Sequence, residues 1–133
     1  MQAKALTQAA RVELPPARTS ARDARRFLTA TLAEWQISGE PTDTACLLAT
    51  ELVTNAVLYA STPIDLVVER WDSMLRVQVR DRAPQLPIPR ERRDALSLTG
   101  RGLALVKELS KSWGVTPRVY GKSVWFELST ATP

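Results

Sequence analysis

Two pairs of strand-like segments, each joined by a short turn, constrain the fold more than any other feature of this sequence. The pairs cover residues 64–71 with 74–81, and residues 115–120 with 123–128. Apolar residues alternate with charged ones in these segments, which is typical of strands that have one buried face. Strands connected so closely pair antiparallel, because a parallel connection needs a crossover of about a dozen residues or more. The sequence therefore predicts an antiparallel sheet.

The N-terminal part of the chain predicts one more strand and a first helix. Residues 10–16 read as a short strand that stops at two prolines, and residues 19–37 carry apolar side chains at helical spacing. Thr19 or Ser20 is the predicted cap of this helix, and Gly39 is suited to its end.

Two further helices follow. The first of them is predicted to begin near Thr42 or Asp43 and to end at about Ser61. The last spans residues 100–114 and opens with two glycines. The side chains predicted to face the sheet are Leu48, Leu52, Ala56 and Tyr59 on the earlier helix, and Leu103, Val106 and Leu109, with Leu105 as a further candidate, on the later one.

The order of these elements predicts a two-layer α/β sandwich, in which helices cover one face of a mostly antiparallel sheet. We expect a single domain over residues 1–133, with its core over about residues 12–128, because the sequence shows no internal repeat and no second domain.

Composition excludes several kinds of chemistry. The chain has no histidine and one cysteine, Cys46, so histidine-based zinc sites and Ser-His-Asp hydrolysis are excluded, and Cys46 is expected to be a core residue. No apolar run is long enough to span a membrane and no signal-peptide pattern is present, which favours a cytoplasmic protein. The net charge is +4, but acidic residues interrupt the arginine groups, so we do not expect direct nucleic-acid binding.

Glu51 and Asn55 are unexpected polar residues within the most apolar helical segment, residues 47–60. They are four positions apart and share one helix face. The helix alone leaves two alternatives open: a solvated face, or a polar site.

Three further features follow in order along the chain. Asp81 ends a strand, residues 82–99 have no periodicity and contain three prolines, and Gly100 and Gly102 open a helix. A long structureless segment in a small domain is usually a functional lid or is disordered. A helix N-terminus preceded by small residues offers unpaired N–H groups for phosphates.

Taken together, these motifs resemble the ATP-binding domain of the GHKL superfamily, whose fold is of the Bergerat type. The segments that carry the resemblance are ELVTNAVLYA, VQVRD followed by APQLP, TGRGLALVKELSKSWGV and GKSVWFEL. The chain is most similar to the small, free-standing bacterial branch of anti-sigma-factor serine kinases. The resemblance covers about residues 12–128, and residues 82–99 correspond to the family's lid.

The resemblance implies a role for each motif residue. Asn55 would coordinate Mg²⁺, Glu51 would be the general base, and Asp81 would accept a hydrogen bond from the adenine amino group. The other expected ATP contacts are Gly100, Arg101, Gly102, Leu103 and Ser123. The chain departs from the superfamily two residues after Asp81, where Ala83 and then Pro84 replace a frequent glycine.

Two functions remain open from the sequence. One is an ATP-dependent serine/threonine protein kinase that phosphorylates an anti-sigma antagonist protein, sequesters a sigma factor, or does both. The other is a non-catalytic ATP-binding module that docks onto a transcriptional regulator. The resemblance also implies a homodimer, with which exposed Val12 and Leu14 on an edge strand would be consistent. Arg22, Arg25 and Arg26 form either a docking surface or a solvated helix face.

Overall fold

Five strands form one antiparallel sheet in the order β1-β2-β3-β5-β4. A computed structural model describes residues 5–83 and 100–131, without the side chains of residues 100, 101 and 103. Its elements are β1 (Leu6–Leu14), α1 (Ser20–Glu34), α2 (Glu40–Tyr59), β2 (Ile64–Trp71), β3 (Met74–Arg80), α3 (Gly100–Leu109), β4 (Ser112–Pro117) and β5 (Lys122–Ser129). Residues 84–99, which make up most of the predicted lid, lie outside the described residues.

The three helices lie on one face of this sheet, as the sequence predicts. Alternate residues of β3, such as Leu75, Val77 and Val79, are buried under them, while the residues between are half-buried. Phe126 on β5 and Val106 on α3 are fully buried in the same core. Burying apolar side chains of this size contributes about 1.5–3 kcal/mol each, so this single core holds the two layers together.

Helix α1 ends three residues earlier than the sequence suggested. Gln36 adopts φ 61°, its N–H donates to the carbonyl of Ala33, and the N–H of Ile37 donates to the carbonyl of Leu32 at 2.8 Å. These are the two bonds of a Schellman motif, which terminates a helix through a left-handed residue. The prediction that Gly39 ends α1 is wrong, because Gly39, at φ 74°, instead precedes the first residue of α2.

The start of α1 has no side-chain cap. Thr19 occupies the cap position without a capping hydrogen bond, and the hydroxyl of Ser20 donates to the carbonyl of Pro15. The predicted cap is therefore wrong, because the Ser20 hydroxyl ties the helix back to the preceding turn. Among the helices of residues 5–83 and 100–131, none combines the length and apolar character needed to cross a membrane.

The last helix is shorter than predicted, and the strand after it begins sooner. Residues 112–117 pair with residues 122–127, so Trp113 and Gly114 belong to β4 rather than to the helix. A Cβ atom at Gly114 would lie 2.6 Å from the Trp125 ring, which explains a glycine inside this strand. Leu109 is 40% exposed at the end of α3, so its predicted inward position is wrong.

Strand β1 is an edge strand, but the two apolar side chains that were expected from the sequence to be exposed face the core. Leu14 is 4% exposed and Val12 packs against the buried cluster. They therefore supply no exposed apolar surface for a dimer, contrary to the expectation from the sequence. On α2, Tyr59 is 39% exposed because it occupies the last position of the helix, beyond the sheet-facing Leu52 and Ala56.

Candidate functional site

Asn55 is a buried polar side chain on an otherwise apolar part of α2. It is 5% exposed, which excludes the solvated-face alternative for this residue, while Glu51, one turn earlier, is half-buried. The Nδ2 atom of Asn55 has no hydrogen-bond partner within the described part of the chain. Leaving a buried donor unsatisfied costs about 1–3 kcal/mol, so such groups commonly mark a place where a ligand completes the bonding.

Asp81 is a second buried polar residue, one position beyond the end of β3. It is 4% exposed, and its Oδ2 accepts a hydrogen bond from Lys122 Nζ at 2.8 Å. Its Oδ1 accepts one from the backbone N–H of Ala83 at 3.1 Å. A carboxylate offers about four acceptor positions, so each oxygen of Asp81 can still accept a hydrogen bond from a ligand.

Gly121 and Lys122 hold Asp81 in position, although the sequence predicted only a hairpin turn for these two residues. Gly121 has φ 86°, and a Cβ atom there would collide with the Asp81 carbonyl oxygen and lie 2.6 Å from its Oδ1. The backbone N–H of Asp81 donates to the carbonyl of Lys122 at 3.0 Å. The pairing of β5 with β3 brings these residues together, and the sequence patterns, which pair strands only within hairpins, did not predict it.

The fold brings the end of β3 close to the C-terminal half of α2. Only residues 60–63 connect α2 to β2, whose first residues pair with the end of β3. The backbone N–H of Arg82 donates to Thr62 Oγ1 in that connection at 2.9 Å. The Arg82 guanidinium bonds to Glu13 and Asp65, and these hydrogen bonds raise its pKa above the ordinary value. Arg82, the residue after Asp81, is therefore held from two directions, through its backbone and through its side chain.

Helix α3 packs against α2. The C-terminal end of α3, at Leu109, lines one cavity with Glu40 and Thr44 at the start of α2. Ten helical residues rise about 15 Å, so an antiparallel course along α2 would bring the N-terminus of α3 level with the Glu51 to Asn55 segment. Gly102 is buried, and the positive dipole end of a helix N-terminus favours phosphate.

Ser123 is not part of the group formed by Asn55 and Asp81. Strand alternation places it on the face of the sheet away from the helices, where its hydroxyl donates to Gln78 Oε1 at 2.9 Å. This position does not favour the predicted contact between Ser123 and ATP, which stays a prediction; the neighbouring Lys122 faces Asp81 instead. The side chains of Arg101 and Leu103 lie outside the described residues.

The open face of the sheet, where Ser123 lies, carries mostly paired charges. Arg76 lies 3.7 Å from Glu127 and 4.3 Å from the centre of the Trp125 ring. Burial, followed by the charge of Arg118, lowers the pKa of Arg80 from its ordinary value. The open face of the sheet therefore carries both positive and negative side chains.

The site fits a magnesium ion that shares its ligands with phosphates and water. Residues 5–83 and 100–131 contain no cluster of three or more His, Cys, Asp or Glu side chains that could hold a metal by themselves. Mg²⁺ usually takes one or two oxygen ligands from the protein and the rest from phosphates and water. A half-turn of the Asn55 amide about its Cβ–Cγ bond exchanges its oxygen and nitrogen, so the buried side chain can present an oxygen ligand.

Comparison with known proteins identifies the family of the chain. Residues 14–128 match the histidine kinase-like ATPase domain, and the chain therefore belongs to this family. Its fold is similar to a solved structure described as the RsbU and RsbW domains of Rv1364c from Mycobacterium tuberculosis, with a TM-score of 0.73 and 20% sequence identity. The match covers 96% of this chain and 34% of that one. No curated protein matches the sequence.

Proposed function

We propose that this protein binds ATP with Mg²⁺ and acts as an anti-sigma-factor-like serine/threonine protein kinase. The observation that carries the proposal is the buried Asn55 amide, whose nitrogen has no acceptor among the described residues. It lies one helical turn from the Glu51 carboxylate, on a helix that also approaches a buried Asp81. Membership of the histidine kinase-like ATPase family supports ATP as the ligand.

Asp81 would recognise the base. Its carboxylate is held by Lys122 and by the Ala83 N–H and retains acceptor positions, so it can accept a hydrogen bond from the adenine amino group. Lys122 acts as a positioning residue, because its ammonium fixes the direction in which the remaining lone pairs point.

Asn55 and the start of α3 would hold the phosphates. Asn55 would supply an oxygen ligand to Mg²⁺, and the N–H groups at Gly100, Arg101 and Gly102 would donate to phosphate oxygens. When bound, the metal neutralises charge that develops on the transferred phosphoryl group.

Glu51 would be the general base. A residue four positions before Asn55 lies about 6 Å along the same helix face. Its carboxylate can accept the proton of a serine or threonine hydroxyl as that oxygen attacks the terminal phosphate, whose bond to ADP breaks.

The proposed protein partners are an anti-sigma antagonist, which would be the phosphorylated substrate, and a sigma factor or another transcriptional regulator. The basis is the resemblance of the motifs to anti-sigma-factor serine kinases, together with the structural similarity to a chain containing an RsbW domain. A cytoplasmic homodimer, with neither DNA nor a membrane as a direct partner, belongs to the same proposal.

The competing function is an ATP-binding module that fixes the shape of a docking surface without transferring phosphate. Both functions need Asn55 and Asp81, whereas only the kinase needs a basic carboxylate at Glu51. Glu51→Gln keeps the side-chain size and removes the base, so it separates the two.

The deciding experiment measures ATP affinity and phosphoryl transfer on the same Glu51→Gln protein. Labelled ATP is supplied with the candidate antagonist protein encoded nearby. For a kinase, affinity changes little and transfer falls by about 10²–10⁴. Glu108→Gln, the same change on an exposed part of α3, is the control and should alter neither quantity. Transfer that survives Glu51→Gln would remove Glu51 from catalysis, and transfer absent from the wild type would favour the module.

A further inference from the structure

Four arginines near the start of α1 have no partner among the described residues, unlike the arginines of the sheet. Arg18, Arg22, Arg25 and Arg26 are exposed, and within the described part of the chain none of their side chains forms an ion pair or a hydrogen bond. Arginines on the sheet, in contrast, contact acceptors: Arg11 with Asp65, Arg70 with the Trp35 carbonyl, Arg76 with Glu127, Arg80 with Gln78, and Arg82 with Glu13.

The four side chains form one stripe, which we call the arginine ridge (Arg18, Arg22, Arg25 and Arg26). Arg22, Arg25 and Arg26 share one side of α1 at i, i+3 and i+4, over roughly 6 Å, and Arg18 precedes them in the turn before the helix. Asp23 is the one acidic residue between positions 17 and 33, and it is not ion-paired to them. The ridge is therefore a concentrated positive charge that residues 5–83 and 100–131 do not compensate.

The position of the ridge is unfavourable for α1 itself. Arg22 lies in the first turn of the helix, where the macrodipole disfavours positive charge, and α1 has no side-chain cap there. Arg22 and Arg26 are like charges four residues apart, which also destabilises a helix. A local feature that opposes folding and is not offset by the described residues is typical of a functional surface.

We propose that the arginine ridge is the docking surface for an acidic segment of a partner protein. An arginine guanidinium binds a carboxylate through two parallel hydrogen bonds. Aspartates and glutamates at helical spacing on a partner would therefore match the guanidiniums at i and i+4 on α1. Nucleic acid fits less well, because the ridge is short and the open sheet face pairs its arginines with carboxylates rather than extending the positive surface.

The ridge also lies beside the site described above. Only residues 35–39 connect α1 to α2 and the two helices pack together, as in an antiparallel helix pair. Cys46 Sγ on α2 contacts Thr29 Oγ1 at 3.5 Å and the Arg25 carbonyl at 3.9 Å. Continuing this register places Arg22 level with Glu51. If ATP binds as proposed, an acidic segment docked on the ridge would bring its protein next to the phosphoryl donor; this consequence rests on the proposed function, whereas the docking itself does not.

The test uses the whole chain without nucleotide, so its outcome is independent of ATP binding. The probe is a fluorescein-labelled peptide of glutamate and alanine with glutamates at i and i+4, and the same peptide with glutamine serves as its control. We expect the glutamate peptide to bind, and Arg22→Gln with Arg26→Gln to weaken binding at least about tenfold, since each substitution removes a charge-assisted contact. Binding should also weaken with added salt.

Lys107→Gln with Lys111→Gln is the matched variant, because it removes two exposed positive charges at the same spacing on another part of the surface. It should leave peptide affinity within about twofold, as expected of distant screened charges. Equal losses in the two double variants would overturn the proposal. So would ridge-dependent binding of duplex DNA or phosphatidylserine vesicles that is tighter than binding of the glutamate peptide. The ridge variant should melt no lower than the wild type, which excludes misfolding as the cause.

Discussion

At the scale of single residues, the proposed site consists of polar groups buried where an apolar core would be more stable. The Asn55 amide is enclosed by the same helix that contributes Leu52, Val53 and Ala56 to the core. The Asn55 nitrogen has no acceptor among the described residues, and an unsatisfied buried donor lowers the stability of the fold. A ligand-binding role explains why it is present, since functional sites commonly retain such groups.

Asn55→Leu should therefore separate stability from binding. The substitution removes an unsatisfied buried donor, so we expect the free energy of unfolding to stay level or rise by about 1 kcal/mol. Affinity for ATP with Mg²⁺ should fall, while weak binding measured in EDTA should be the same in variant and wild type. Urea unfolding and calorimetry measure the two effects. A loss of stability above about 3 kcal/mol would show that the amide is satisfied in the folded protein.

Asp81 should determine nucleotide choice. As an ionised acceptor it can bond the adenine amino group, whereas guanine places a carbonyl at that position and two acceptors would face each other. The mismatch costs about 1–3 kcal/mol, so calorimetry should show GTP binding about tenfold more weakly than ATP. Glu69→Gln, a carboxylate change on the open face, should leave this ratio unaltered. Equal affinities for the two nucleotides in the wild type would exclude Asp81 from base recognition.

At the scale of elements, the hairpin between β4 and β5 supports the end of β3. Gly121 has no room for a side chain because the Asp81 carbonyl and carboxylate occupy that space. Gly39 also has positive φ, but a Cβ atom there would have no described atom within 4 Å, so it provides a matched comparison.

Gly121→Ala should destabilise the protein more than Gly39→Ala and should also weaken ATP binding. Both variants carry the strain of positive φ, about 1–3 kcal/mol. Only the change at Gly121 also pushes Asp81 from its position. Thermal unfolding and ATP titration of the two variants test this, and equal effects on ATP affinity would show that the hairpin does not position Asp81.

At the scale of the whole molecule, the proposed ligand contacts elements that are far apart in the sequence. α2 packs against both β3 and α3 on one face of the sheet. A ligand that bridges them should stabilise the folded state as a unit, because it binds the native chain and not the unfolded one.

ATP with Mg²⁺ should therefore raise the melting temperature. At a free ligand concentration of about 100 times the dissociation constant, the stabilisation is about 2.7 kcal/mol. For a domain of this size that corresponds to a shift of roughly 8 °C or more. At the same concentration, GTP, which binds about tenfold more weakly, should give about half this shift. The shift should be absent in Asn55→Leu, and a shift of equal size in that variant would place the nucleotide elsewhere.

Local sequence patterns were sufficient for the architecture. Alternating residues in β2 and β3 and the two-residue turn between them define an antiparallel hairpin, and period and turn length are properties of neighbouring residues. The same local signals misplaced the ends of α1 and α3, because distant residues act there. Arg70 donates to the Trp35 carbonyl at the end of α1, and the Trp125 ring packs against Gly114 after α3.

The sequence by itself determined the fold class and singled out Glu51, Asn55 and Asp81, since polar residues stand out against an apolar helix and a strand end. Only the tertiary structure decided that the Asn55 nitrogen is buried without a partner among the described residues, and that Lys122, rather than Ser123, faces Asp81. It also decided that, within residues 5–83 and 100–131, the arginines of α1 lack partners while those of the sheet have them. The physical reason is that burial and pairing depend on residues distant in the chain, and a pattern of neighbours carries no information about which distant groups meet.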